Sequence, residues 1–96
     1  MVQSILIKDL KKILENINII DIRSAVSYNN NHIPGAHNVP YEKLLSDPNK
    51  YLDRYKSYYI YCQKGKSSQN VCQILNRLGY RVINIAGGYE SWILEN

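Results

Sequence analysis

Within seven residues this chain places a cysteine, a glycine, two lysines and two serines: Cys62-Gln63-Lys64-Gly65-Lys66-Ser67-Ser68. The run before them, Tyr58 to Tyr61, is apolar and aromatic and reads as a buried strand, and the run after them has helical spacing. A thiol delivered to the mouth of a strand-loop-helix turn meets converging backbone N–H groups and the positive end of a helix dipole. Such surroundings favour an anion, whether a bound oxyanion or the thiolate that acts as nucleophile. The chemistry expected is attack by Cys62 on an anionic substrate. Gly65 lets the backbone turn inward, Ser67 or Ser68 supplies a further hydrogen bond, and Lys64 and Lys66 frame the entrance.

Charge placement supports the same reading. The eight acidic residues all fall at or before Asp53, or at Glu90 and beyond. Between Arg54 and Tyr89 stand six basic residues, Arg54, Lys56, Lys64, Lys66, Arg77 and Arg81, with no carboxylate among them. Read functionally, this zone is a positive field that draws small anions. Read otherwise, it is a solvated basic face, and only Lys64 and Lys66 take the functional reading by their place in the loop. Nucleic acid is not expected as a partner, because no binding motif accompanies the charge.

The elements that must position the loop alternate in type. Residues 4–7 form a short apolar run suited to an edge strand, and Ile7 to Leu14 spaces apolar residues at helical intervals. Ile19 to Ile22 reads as a buried strand leading into Asp21-Ile22-Arg23. A helical piece from Ala25 to Tyr28 stops at three asparagines, 29–31, and His32-Ile33-Pro34-Gly35-Ala36 makes a stiff loop before a very short strand. A helix over Tyr41 to Leu45 is followed by a second one, with Asp47 as N-cap, Pro48 in its first turn and Tyr51, Leu52 and Tyr55 on one face. After the cysteine loop, Val71, Ile74, Leu75 and Leu78 form an inward stripe, and Gly79-Tyr80 stops the helix in Schellman fashion. Val82 to Ile85 is another strand, Gly87-Gly88 a turn, and Tyr89 to Leu94 a last helix anchored by Trp92. This alternation predicts an α/β fold with a small, mostly parallel sheet and helices on both faces, residues 1–96 forming one domain. In such sheets ligands bind beyond the carboxyl ends of the strands, where Asp21 and Arg23, Cys62 and Gly87-Gly88 all fall.

Composition narrows the class. Hydrophobic residues make up 45% of the 96, as in globular proteins, and nine tyrosines with no phenylalanine imply that tyrosine fills aromatic core positions. No run approaches the roughly 18 apolar residues of a membrane span, and Met1 to Lys8 lacks signal-peptide features. A cytoplasmic protein, monomeric and away from membranes, is expected. Two cysteines make neither a disulfide framework nor a zinc site, and the two histidines lack ligand spacing, so no metal or cofactor is expected. Cys72, in the helix beside the apolar stripe, reads as packing.

Four motifs in order, Asp21-Ile22-Arg23, His32-Ile33-Pro34-Gly35-Ala36, Cys62-x-x-Gly65-Lys66-Ser67-Ser68 and Gly87-Gly88-x-x-x-Trp92, resemble the signature of the rhodanese-like sulfurtransferases, over residues 4 to 94. The resemblance implies a rhodanese-like three-layer α/β/α fold, with the loop after Cys62 wrapped around a reactive sulfur. It implies transfer of sulfane sulfur from thiosulfate, a persulfide or a polysulfide, through a Cys62 persulfide, to a protein or low-molecular-weight thiol or to cyanide. Asp21 and Arg23 are then expected to orient loops through an ion pair, and His32 to fix its own loop. The chain departs from the family pattern at Val26-Ser27, where an acidic pair is frequent. It departs again at Asn31, where glycine is usual and asparagine tolerates left-handed geometry, and at Ser67, where arginine is frequent.

Two other readings stand beside this one. A cysteine-loop phosphatase or arsenate reductase would need an arginine six residues after the cysteine to clamp an oxyanion with a planar fork; that residue is Ser68. A non-catalytic interaction or regulatory module on the same scaffold would not require Cys62.

Overall fold

The computed structural model describes residues 2–95; Met1 and Asn96, the ends of the expected domain, lie outside them. Five parallel strands form one sheet in the order β1-β5-β4-β2-β3, with β1 at Ser4–Ile5, β2 at Asn18–Asp21, β3 at Ala36–Asn38, β4 at Ser57–Tyr61 and β5 at Arg81–Ile85. The connecting helices are α1 (Ile7–Ile13, followed by a 3-10 turn over Leu14–Asn16), α2 (Ala25–Asn30), α3 (Tyr41–Ser46), α4 (Pro48–Tyr51), α5 (Lys66–Arg77) and α6 (Gly88–Leu94). Among the described residues no helix is long and apolar enough to cross a membrane.

Each sheet face packs its own core. On one side Ile7 and Leu10 of α1 and Tyr89 and Trp92 of α6 cover Ile19, Tyr61 and Ile85. On the other, Leu44 of α3 and Val71, Cys72 and Leu75 of α5 cover Ile20, Tyr58, Ile60 and Val82. Alternation along β4 therefore sends Tyr61 to the first core and Cys62, just past the strand end, to the second. The connections leaving β2 and β4 run in opposite directions across the sheet, to β3 on one side and β5 on the other, which opens a crevice at the carboxyl ends of these two neighbours.

Several sequence expectations are corrected here. The inward stripe of α5 is Ser68, Val71, Cys72 and Leu75, while Ile74 and Leu78 flank it and are 43% and 49% exposed. The helix thus turns its small polar and sulfur-bearing residues inward at i, i+3, i+4 and i+7. Tyr55 lies beyond the end of α4 and is 86% exposed, so it shares no face with Leu52. Asp47 stands at the N-cap of α4 but makes no capping hydrogen bond. Asn31 is extended, with φ −170°, so the position needs no left-handed geometry. The expected stop at Gly79 is present: the Tyr80 N–H donates to Leu75 O at 3.0 Å and the Gly79 N–H to Asn76 O at 3.0 Å.

A buried polar cluster ties β2 to β4. The fully buried Asp21 carboxylate accepts from the Arg23 backbone N–H (2.8 Å), from Arg23 Nη2 (2.7 Å) and from the Tyr61 hydroxyl (2.6 Å). The same hydroxyl accepts the Ile33 N–H at 3.1 Å, so it joins the motif at residues 21–23 to the one at 32–36. Burial, with the Asp21 hydrogen bond adding to it, raises the Tyr61 pKa and keeps it a phenol. Burial works against the Arg23 charge, but the hydrogen bond and charge of Asp21 outweigh it and raise the arginine's pKa. Tyr61→Phe leaves the Asp21 oxygen and the Ile33 N–H without this partner and is expected to destabilise the fold by roughly 1–3 kcal/mol. Tyr55→Phe, at an exposed position, should stay within about 0.5 kcal/mol. Urea unfolding of both variants checks this, and equal midpoints would contradict it.

Candidate active site

The tight loop after β4 is shorter than the sequence suggested. It spans Gln63 to Gly65, and Lys66, Ser67 and Ser68 already form the first turn of the 12-residue helix α5. Cys62, 7% exposed, sits at the N-terminus of that helix. Two backbone donors converge on its Sγ, the Gly65 N–H at 3.1 Å and the Ser68 N–H at 3.3 Å. Of the two serines expected to donate a hydroxyl hydrogen bond, Ser67 is exposed, and Ser68 places its Oγ 3.3 Å from Sγ but accepts from the thiol rather than donating to it.

Gly65 has φ +98°, and a side chain there would bring a Cβ 2.9 Å from the backbone nitrogen of Gly87. Gly88 faces the loop still more closely: its Cβ would lie 2.4 Å from the carbonyl oxygen of Cys62. The two bare backbones allow the start of α6 to dock under the cysteine loop. There the Tyr89 N–H donates to Cys62 O at 2.9 Å and the Glu90 N–H to Gln63 O at 3.0 Å. Free amides of the α6 first turn thus hold the loop carbonyls, while the loop's own amides turn to the sulfur.

Sequence reasoning missed Asn84. It is buried in β5, and its Oδ1 accepts the Ser68 hydroxyl at 2.5 Å. A lone amide in the apolar run Val82-Ile83-Asn84-Ile85 was the available signal, since a buried polar side chain must find a partner. The result is a chain in which the Cys62 S–H donates to Ser68 Oγ and the Ser68 O–H to Asn84.

The other candidates take supporting places. Arg23 donates from Nη1 to Gln63 Oε1 at 3.3 Å and from Nη2 to Asn31 O at 2.7 Å, with its guanidinium 4.2 Å from the Tyr89 ring centroid. His32 stacks on Tyr28 at 3.8 Å, and its Nδ1 lies 2.9 Å from Tyr28 O. It lines neither hollow at the cysteine.

Those two hollows meet at Cys62, Gln63 and Ser67. The smaller, about 250 Å³, adds Lys64 and Lys66. The larger, about 500 Å³, adds Ile22, Arg23, Ser24, Ala25, Pro40, Tyr41 and Glu42. The basic zone read from the sequence therefore divides. Lys64 and Lys66 reach the site, whereas Arg81 starts β5 opposite Ser57, the first residue of β4, at the far end of the strands. Arg54 stacks 4.3 Å over Tyr80. Strand β4 and helix α5 each carry the chain across the domain, so neighbours in that sequence zone end on opposite sides.

A parallel α/β sheet with a strand-end cysteine held by the first turn of the following helix defines a cysteine-loop protein of the α/β class. The chain belongs to the rhodanese-like domain family, whose sequence model matches residues 6–95. It is 35% identical to the thiosulfate sulfurtransferase GlpE of Shewanella oneidensis over 79 residues, covering 81% of this chain and 77% of that protein. It is 30% identical to the putative sulfur carrier protein YrkF of Bacillus subtilis over 79 residues, 81% of this chain but only 42% of that protein's length. The crystal structure of a rhodanese-related protein from Thermoplasma volcanium superposes with a TM-score of 0.90 at 29% identity, covering 98% of this chain and 93% of that one.

Cys72, fully buried against Val71 and Leu75, is the counterexample to Cys62. Burial, with the charge of Cys62 adding to it, pushes its pKa up to about 12. A thiol that holds its proton more tightly folded than unfolded contributes stability that is whole below the unfolded value, about 8.5. That stability is lost as pH rises from there toward about 12. Wild type should therefore lose stability in this window more steeply than Cys72→Ala, by roughly 1.4 kcal/mol per pH unit. Equal slopes of unfolding free energy against pH in the two proteins would contradict the assignment.

Proposed function

We propose that this protein is a sulfurtransferase in which Cys62 carries sulfane sulfur as a persulfide. The observation that carries the reading is the convergence of the Gly65 and Ser68 N–H groups on Cys62 Sγ at 3.1 and 3.3 Å. Fixed donors at a helix N-terminus stabilise negative charge on sulfur without any general base, which is what both half-reactions require.

In the first step the Cys62 thiolate attacks the outer sulfur of a donor such as thiosulfate. A new S–S bond forms, the donor's own S–S bond breaks with its electron pair, and sulfite leaves. Cys62 now bears a terminal sulfur carrying the negative charge that the thiolate brought. In the second step a thiolate or cyanide attacks that terminal sulfur, takes it away, and returns Cys62 to the thiolate. The Ser68 hydroxyl can turn from Asn84 toward the sulfur when the thiol proton is absent, so it serves the anionic states of the cycle. Lys64 and Lys66, lining the smaller hollow, match a dianionic donor.

Two features favour sulfur over phosphoryl transfer. The sixth residue after Cys62 is Ser68, a fully buried hydroxyl without positive charge. The guanidinium nearest the loop, Arg23, is bound to Asp21. No planar fork is left at the loop to clamp a phosphoryl group.

Mixing the enzyme with excess thiosulfate should release a burst of one sulfite per protein, before any acceptor is added. Cys62→Ser should release none. Ser68→Ala, which keeps both amides but loses the hydroxyl, should slow the burst about ten-fold. Sulfite release by Cys62→Ser at the wild-type rate would overturn the proposal.

A further inference from the structure

The two hollows that meet at Cys62 carry opposite charge. The smaller is lined by Lys64 and Lys66 with no carboxylate. The larger is lined by two charged residues, Arg23 and Glu42. Arg23 is already neutralised, since its guanidinium is paired with Asp21 at 2.7 Å. Glu42 is exposed in the first turn of α3 and has no ion-pair partner among the described residues. Its neighbours in the larger hollow are mixed, with Ile22, Ala25, Pro40 and the ring of Tyr41 beside polar Ser24, Gln63 and Ser67. This hollow has about twice the volume of the basic one, 500 against 250 Å³.

A dianionic donor is repelled by Glu42 and attracted by the lysines, so it approaches Cys62 from the basic side. Displacement at sulfur is in line, so an acceptor must meet the outer sulfur opposite Cys62 Sγ, and rotation about the Cys62 Cβ–Sγ bond carries that sulfur from the basic hollow into the adjoining Glu42 hollow. We infer that the Glu42 hollow receives the acceptor, that this acceptor is a thiol with a positive charge beside it, and that Glu42 sets the charge preference. The inference rests on the sulfurtransferase reading and names the substrate class of its second step. That step balances: the acceptor thiolate bonds to the outer sulfur, the Cys62 S–S bond breaks, and Cys62 keeps the electron pair as thiolate. The acceptor leaves as a persulfide, and its thiol proton goes to solvent on ionisation. Glu42 is exposed, so water screens its carboxylate and its pull on a cation is that of a surface charge at short range. Coulomb attraction at such range corresponds to a preference of about three- to ten-fold.

The test uses three small thiols of similar length as acceptors for the pre-formed persulfide: cysteamine, 2-mercaptoethanol and 3-mercaptopropionate, which are cationic, neutral and anionic. Their intrinsic reactivities differ, but these divide out when each variant is compared with wild type. In Glu42→Gln the ratio of kcat/KM for cysteamine over mercaptopropionate should fall about three- to ten-fold. Glu42→Lys should lower that ratio further, with 2-mercaptoethanol changed less than either charged thiol in both variants. A merely structural role for Glu42 would slow all three thiols alike and leave the ratio where it was. An unchanged ratio in both variants overturns the inference while leaving the first step standing. Failure of wild type to form any persulfide overturns the sulfurtransferase reading itself, and the acceptor assignment falls with it. A peptide with a lysine next to its cysteine, run against cysteamine, separates the sources: faster transfer to the peptide indicates a protein acceptor, and equal or slower transfer a small aminothiol.

Discussion

Two backbone N–H groups aimed at one sulfur atom are not what an ordinary strand end provides, because extended backbone directs its amides sideways into the sheet. The chain must leave β4, reverse within three residues and start a helix whose first amides face back toward the residue just passed. Gly65, at φ +98°, makes the reversal, and the first turn of α5 brings in the Ser68 N–H at 3.3 Å. The reversal leaves the carbonyls of Cys62 and Gln63 without partners in their own loop, and a carbonyl covered by α6 without a donor is costly. Helix α6 resolves this by offering the Tyr89 and Glu90 N–H groups. That approach is close enough to exclude a side chain at Gly88. The sulfur's environment thus depends on a helix that begins 26 residues further along the chain.

The Asp21–Arg23–Tyr61 cluster anchors the other wall. A buried ion pair adds little net stability by itself, but removing either partner strands a charge. Its effect here is geometric, since one carboxylate orients Arg23, which in turn holds the Gln63 side chain and the Asn31 carbonyl. The Tyr89 ring lies under the same guanidinium. One residue of α6 therefore touches both walls, through its N–H at Cys62 and its ring at Arg23. The cysteine loop, the Asp21 motif and the Gly87-Gly88 turn lie far apart in sequence, and these contacts make one mechanical unit of them.

Much of this was legible in the sequence, for identifiable reasons. The alternation of strands and helices, the Schellman stop at Gly79 and the place of Cys62 follow from local rules of periodicity and turn chemistry, and the structure agrees with them. What stayed hidden needed the sheet order. Asn84 reaches Ser68 because β5 pairs with β4 in parallel register, Ile60 opposite Asn84, and no local rule gives a register between strands so far apart. Tyr61 read as one more apolar aromatic, whereas its hydroxyl joins Asp21 to Ile33. Glu42 lies 20 residues before Cys62, and only the return of the chain from α3 into β4 brings it to the same hollow. In the acid-free zone, place in the loop was the guide that counted, and it singled out Lys64 and Lys66. The zone's six basic residues are neighbours in sequence, yet only these two line a hollow at Cys62. Ile74 and Leu78 misled for a local reason: helical spacing leaves the centre of an apolar stripe open to a shift of one position, and α5 turns Ser68 and Cys72 inward instead.

The central claim is that the Cys62 sulfur holds a second sulfur atom between two half-reactions. Intact-mass spectrometry of the protein before and after thiosulfate tests this most directly, with peptide mapping to locate any adduct. The account predicts a wild-type protein one sulfur atom heavier, with the extra atom on the peptide containing Cys62. It also predicts loss of that mass when an acceptor thiol is added. An unchanged wild-type mass, or an adduct that persists in Cys62→Ser, would contradict it.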